Sequence, residues 1–224
     1  MPKEHHIQVQ RTARYYTIGE SSSATTDVWF VCHGYGQPAV DFIREFETIA
    51  SPTRVIVAPE ALSRYYIPTE PGYHSAESKV GASWMTSEDR QTEISDYVAY
   101  LDALYDEITS RVNRQAISVT VLGFSQGGAT ASRWVTLGRS RIHRLVLWGS
   151  FLASDVDLDQ AAKFFRDVNL TIVYGTKDKY VGEKMIRDYQ TLLKEKTIPY
   201  ELLTFDGGHR MDRGTLKSLA RGSE

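Results

Sequence analysis

The sequence predicts a single α/β domain spanning residues 1–224, with a mostly parallel central sheet and helices on both of its faces. Two observations predict it. Short, nearly continuous apolar runs recur along the chain, as expected of strands covered on both sides. Between them lie apolar residues at helical spacing, so strands and helices alternate in the manner of a doubly wound sheet with right-handed crossovers. With 42% hydrophobic and 24% charged side chains, 224 residues suffice to bury one core of that size.

Taken in order, the stretch Ile7–Ile18 alternates apolar and polar residues and predicts one or two antiparallel edge strands. Val28–Cys32 ("VWFVC") is the first strand of the parallel type. Pro38 then opens a helix carrying Phe42, Ile43, Phe46 and Ile49. Val55–Ala58 is the next strand. A helix follows with Ile94, Val98, Leu101, Tyr105, Ile108 and Val112 on one face, capped by Thr86 or Ser87 and given a negative first turn by Glu88 and Asp89. Strands are predicted at Ile117–Leu122, Leu145–Trp148, Leu170–Tyr174 and Tyr200–Phe205. Between the last two, Met185, Ile186, Tyr189, Leu192 and Leu193 mark a helix that stops near Pro199. No repeat, linker or low-complexity tract divides the chain.

One segment breaks the alternation. Residues 61–85 read "ALSRYYIPTEPGYHSAESKVGASWM", with two prolines, two glycines and no sustained period. A loop of that length inside a compact domain is usually functional. Following the strand Val55–Ala58, it emerges at the carboxyl edge of the sheet, where open α/β sheets bind ligands.

Bulk properties narrow the function. A net charge of −2 and the lack of a long basic cluster exclude nucleic acid as a partner. Cys32 is the single cysteine, so an intramolecular disulfide and four-cysteine metal sites are excluded. No apolar run is long enough for a membrane span, and the first residues do not resemble a signal peptide. The expectation is a cytoplasmic protein.

The most informative stretch is "VTVLGFSQGGATAS", where a strand passes directly into a helix through Gly123-Phe124-Ser125-Gln126-Gly127. A strained strand–turn–helix elbow lifts such a serine above the sheet, and the crowded positions two before and two after it favour glycine. An ordinary βα turn with an exposed serine would carry the same five residues, so the rest of the chain must decide. A serine nucleophile needs a base and an anchor for that base, in the chain order Ser, Asp/Glu, His. Asp178 follows the strand Leu170–Tyr174 and His209 follows Tyr200–Phe205, each at the same sheet edge as Ser125. Asp206, close to His209 in sequence, is the alternative acid. An oxyanion needs two N–H donors. Gln126 supplies one directly after the serine, and Tyr35, in the "CHGYGQ" turn, is the candidate for the other. The side chain of His33 in that turn reads as a structurally hydrogen-bonded histidine.

"GFSQGGA", "HGYGQ", "VIVAPEA", "SWM", "GTKDKYV" and "GGH" together resemble the phospholipase/carboxylesterase branch of the α/β-hydrolase superfamily, the group that includes acyl-protein thioesterases. The resemblance spans roughly residues 26–215. It implies the α/β-hydrolase fold without a separate lid domain, a Ser125–Asp178–His209 triad, an oxyanion hole from Tyr35 and Gln126, and hydrolysis of carboxylic esters or thioesters. It also implies no cofactor and no metal. Gln37 stands where the family commonly has an acid, and Trp84 is followed by Met85 and Thr86 rather than Phe and Asp.

The expected partner is a small-molecule ester or thioester with an apolar acyl or aryl group. Trp84, Met85, Tyr65, Tyr66 and Tyr73 are the candidate substrate contacts, drawn from the aromatic-rich 61–85 segment. Two other readings use the same residues: a non-catalytic binding protein on this fold, and a peptidase or acyltransferase with the same triad.

Overall fold

The computed structural model describes residues 1–68 and 75–221. Its strands are β1 (Tyr15–Ile18), β2 (Asp27–Cys32), β3 (Arg54–Pro59), β4 (Ser63–Tyr66), β5 (Val80–Ser83), β6 (Ser118–Phe124), β7 (Arg144–Trp148), β8 (Asn169–Gly175) and β9 (Glu201–Phe205). Seven of them form one sheet in the order β1-β3-β2-β6-β7-β8-β9. β1 is antiparallel to β3 and every other pairing in this sheet is parallel. The predicted strands therefore all lie in it. Of the N-terminal stretch, only Tyr15–Ile18 pairs, while Ile7 and Val9 are exposed.

The helices are α1 (Ala39–Phe42, running on as a 3-10 helix over Ile43–Ile49), α2 (Arg90–Thr109), α3 (Gln126–Leu137), α4 (Leu158–Phe164), α5 (Glu183–Glu195) and α6 (Arg213–Arg221). They cover both faces of the sheet because alternate residues of each central strand point opposite ways. Val28 and Phe30 of β2, Val119 and Val121 of β6, and Leu145 and Leu147 of β7 pack with α2, α3 and α4. Trp29, Val31, Leu122, Phe124, Val146 and Trp148 face the other way, onto α1 and α6.

Three sequence expectations are corrected in detail. The helix predicted from Ile94 to Val112 ends at Thr109, whose hydroxyl donates back to the Tyr105 carbonyl at 2.7 Å. Its N-cap is Asp89, in the left-handed region at φ 43°, with no side-chain cap. Thr86 instead donates its backbone N–H to Glu93 at 2.6 Å, which ties the preceding turn to the first helical turn. Residues 61–85 also carry structure of their own, for β4 and β5 pair as a separate antiparallel ribbon. Strands of four residues are too short to carry a clear periodic signal.

At the opposite edge of the sheet from the strand carboxyl ends, Asp27 and Arg54 form a buried pair at 2.5 Å. Asp27 also accepts from the Trp29 indole at 3.0 Å, and Arg54 donates to the carbonyls of Ile49 and Ala220. Satisfied on all sides, the pair fixes the end of α6 against the sheet.

Candidate active site

The parallel register sets the site. Cys32 of β2 stands opposite Gly123 of β6, and Phe124 of β6 opposite Trp148 of β7. The turns that follow these strands therefore leave the sheet side by side, at its carboxyl edge. Ser125 occupies the junction between β6 and α3 with φ 52° and ψ −120°. Such a conformation is rare for a residue with a side chain and marks stored strain. The surroundings hold it: the Ser125 N–H donates to the Trp148 carbonyl at 3.0 Å, and its own carbonyl accepts from Gly128 at 2.9 Å. Gly123 and Gly127 are required by space, since a methyl group on Gly123 would overlap the Gly127 backbone and one on Gly127 the carbonyls of Cys32 and His33.

Asp178 and His209 meet. His209 Nδ1 lies 2.7 Å from Asp178 Oδ2, with the carboxylate side chain only 1% exposed. The other carboxylate oxygen accepts from the backbone N–H groups of Tyr180 (2.8 Å) and Val181 (3.2 Å). An imidazole that donates to Asp178 through Nδ1 presents Nε2 as its acceptor. Asp206, the alternative acid, is 76% exposed and pairs with Lys177 at 2.6 Å.

Several residues that sequence reasoning did not single out hold the imidazole. Its ring lies between those of Phe124 and Tyr180, with centroids 4.8 Å away in each case. Phe124 is the residue before Ser125, so this contact joins the serine turn to the histidine loop. The Trp148 indole donates to the Arg210 carbonyl at 2.9 Å and secures that loop from below. Gly149, at φ 57°, leaves the space in which the imidazole sits.

In the turn after β2, Gly36 donates its N–H to Ala82, Gln37 to Gly34, and Gly34 to the Gln37 side chain at 2.8 Å. Gln37 thus spends its carbonyl oxygen on the turn itself. The backbone N–H groups of Tyr35 and Gln126 donate to no protein acceptor among the described residues. His33 is fully buried, its Nδ1 2.8 Å from the Gly34 carbonyl and its Nε2 accepting from the Ala61 N–H at 3.1 Å. Burial pushes its pKa below the ordinary value.

The candidate substrate contacts separate. Trp84 is 2% exposed, packs on His33 at 5.0 Å between centroids and donates its indole N–H to the His33 carbonyl, so its ring is a packing element and not a wall of the opening. The Met85 sulfur accepts from Arg133 at 3.3 Å. Tyr65 lies over the turn, 5.5 Å from the ring of Tyr35, and Tyr66 is exposed on the same ribbon. Tyr73 and its neighbour His74 lie outside the described residues. None of Trp84, Met85, Tyr65 or Tyr66 lines the cleft beside His209. That cleft, about 1010 Å³, has Phe42, Phe124, Ile67, Val80 and Met211 as apolar walls. Charged side chains, among them Lys79, Asp41, Arg210 and Arg213, share its lining. The cleft is therefore part apolar and part charged, with Asp41 contributed by α1, Arg213 by α6 and Lys79 by the 61–85 segment itself.

Among the described residues one grouping has the spacing of a metal site, Glu4, His6 and Asp89, all exposed and none belonging to the His209 cleft. No helix among them is long and apolar enough to cross a membrane.

A sharp serine turn after a central strand, an acid after β8 and a histidine after β9, all at one edge of a mostly parallel sheet, define an α/β-hydrolase. The phospholipase/carboxylesterase family model matches residues 13–221, and the chain belongs to that family, an esterase-type hydrolase. Comparison with curated proteins finds no match. Among solved structures, Zea mays acyl-protein thioesterase 2 is similar at 17% identity over 94% of this chain and 97% of that one, with a TM-score of 0.67. A carboxylesterase from Mesorhizobium loti gives 20% identity, 94% and 93% coverage and 0.66. The Bacillus cereus carboxylesterase gives 14%, 94% and 93%, and 0.65.

Proposed function

We propose that the protein hydrolyses carboxylic esters or thioesters through an acyl-enzyme on Ser125. The observation that carries this reading is the part-buried 2.7 Å pair of His209 and Asp178, standing against Phe124 of the serine turn. Ser125 Oγ attacks the acyl carbon while His209 Nε2 takes its proton. Asp178 holds the imidazole in the tautomer that accepts at Nε2 and balances the charge of the imidazolium. The N–H groups of Tyr35 and Gln126, which have no other partner among the described residues, receive the oxyanion. The alcohol or thiol departs with the proton from His209, and water then reverses the relay to release the acid.

The apolar walls formed by Phe42, Phe124 and Met211 suit an apolar acyl or aryl group, and the charged part of the lining suits a polar leaving group. Rates on matched esters, thioesters and amides with one acyl group test the assignment. Oxygen and sulfur esters turning over at least a hundredfold faster than the amide is the expected result; a faster amide would make the protein a peptidase.

A further inference from the structure

The side chain of Gln126 makes bonds that the proposed reaction does not use. Only its backbone N–H enters the proposed reaction, yet its carboxamide is fully engaged. Oε1 accepts from the Trp84 backbone N–H at 3.1 Å, and Nε2 donates to the Met85 carbonyl at 2.9 Å and lies 3.3 Å from Ser83 Oγ. A backbone donor on one side and a backbone acceptor on the other fix which way the amide faces.

Trp84 also reaches the other side of the site. Its indole N–H donates to the His33 carbonyl at 2.8 Å, and its ring packs on the His33 imidazole. Two residues earlier, the Ala82 carbonyl accepts from Gly36 at 2.8 Å. The stretch Ala82–Met85 is thus bonded both to the first residue of α3 and to the turn that carries Tyr35. It is itself anchored, because Arg133 donates to the Met85 sulfur and is held by Asp155 at 2.9 Å.

We infer that Gln126 and Trp84 are positioning residues that form a clamp setting the separation and direction of the Tyr35 and Gln126 N–H donors. This inference rests on the proposed role of those two N–H groups. An oxyanion hole works when its donors are aimed before charge develops, and two donors on separate segments need a rigid connection to stay aimed. The carboxamide of Gln126 connects α3 to Trp84, and the indole of Trp84 connects it to the turn.

The test uses Gln126→Met, which keeps side-chain length and the backbone N–H but loses every carboxamide bond, and Trp84→Phe, which keeps an aromatic ring but loses the indole N–H. Active sites are first titrated with a fluorophosphonate, so that only folded, reactive enzyme is counted. Per labelled site, each variant should lose about tenfold or more in kcat on a short-chain ester, with KM within about twofold. Affinity for a trifluoromethyl ketone, which mimics the tetrahedral oxyanion, should fall in parallel with kcat. The double variant should be little worse than the worse single one, as expected of two parts of one device. Wild-type kcat and ketone affinity per labelled site in both single variants would overturn the clamp, and so would additive losses in the double variant. If both variants fold too poorly to label, Trp84→His and Gln126→Glu, each preserving part of the bonding, are measured in the same way and against the same criteria. Failure of the wild-type protein itself to label or turn over would count against the proposed reaction and not specifically against the clamp.

Discussion

Replacing Gly149 by alanine is expected to damage catalysis through the imidazole without touching a reacting group. Gly149 adopts φ 57°, and a methyl group there would stand 2.9 Å from His209 Cε1 and 3.0 Å from Nδ1. Ordinary contact begins at 3.4 Å, so the ring must retreat by about half an ångström. The hydrogen bond to Asp178 starts at 2.7 Å, and the ring is confined by Phe124 and Tyr180, so retreat also turns it. Misplacement on this scale costs on the order of 10- to 100-fold in rate. Left-handed backbone at an alanine adds about 1–2 kcal/mol of destabilisation, which lowers the melting temperature by about 2–8 °C. The assay is kcat/KM on a chromogenic short-chain ester, per fluorophosphonate-labelled site, beside a thermal melt. Gly182→Ala is the control, since an added methyl group there meets nothing within 4 Å. Its kcat/KM should stay within about twofold of wild type. A Gly149→Ala enzyme with undiminished kcat/KM would refute the reasoning.

Other outcomes follow from the same geometry. Asp178→Asn should lower kcat by about 10⁴-fold with little change in fold, because the imidazole then adopts the wrong tautomer. Asp206→Ala should leave kcat within about twofold, as its partner is an exposed lysine; steady-state kinetics on the two variants distinguishes the acids. His33 is held neutral by burial, so its folded pKa lies below the ordinary 6.5. The stability it contributes is complete above about pH 6.5 and is lost as pH falls below that value, by up to about 1.4 kcal/mol per unit until the folded pKa is reached. Urea midpoints at pH 7.5 and 5.5 should show the loss in wild type and a smaller one in His33→Gln. Arg54→Met strands the Asp27 carboxylate and should cost about 3–5 kcal/mol in urea unfolding, while kcat per labelled site stays near wild type.

The parts of the fold and site that local pattern determines were legible in the sequence. The serine turn is written in adjacent residues, Gly123 to Gly127, because the steric demand comes from the backbone beside it. Fully buried strands such as Trp29–Cys32 and Leu145–Trp148 announce themselves as unbroken apolar runs. Helices α4 and α6 were not foreseen. α4 spans only Leu158–Phe164, with Ala161 and Ala162 as its buried side chains, and α6 buries Leu216, Leu219 and Ala220 amid charged neighbours. Their stability comes from packing on the sheet more than from their own periodicity. The role of Trp84 was equally hidden. An aromatic residue in a proline- and glycine-containing segment reads as a ligand contact, and only the His33 carbonyl opposite its indole makes it a structural one. Gly149 and Tyr180 escaped for the same reason, since their significance lies in a histidine far along the chain.

The central claim is that Ser125 is the nucleophile, and covalent labelling tests it most directly. Wild-type protein is treated with a fluorophosphonate, and the modified residue is located by peptide mass spectrometry beside ester turnover of Ser125→Ala. A single adduct on Ser125, with turnover lost in the variant, is the predicted result. An adduct elsewhere, no adduct at all, or equal turnover by Ser125→Ala would contradict it.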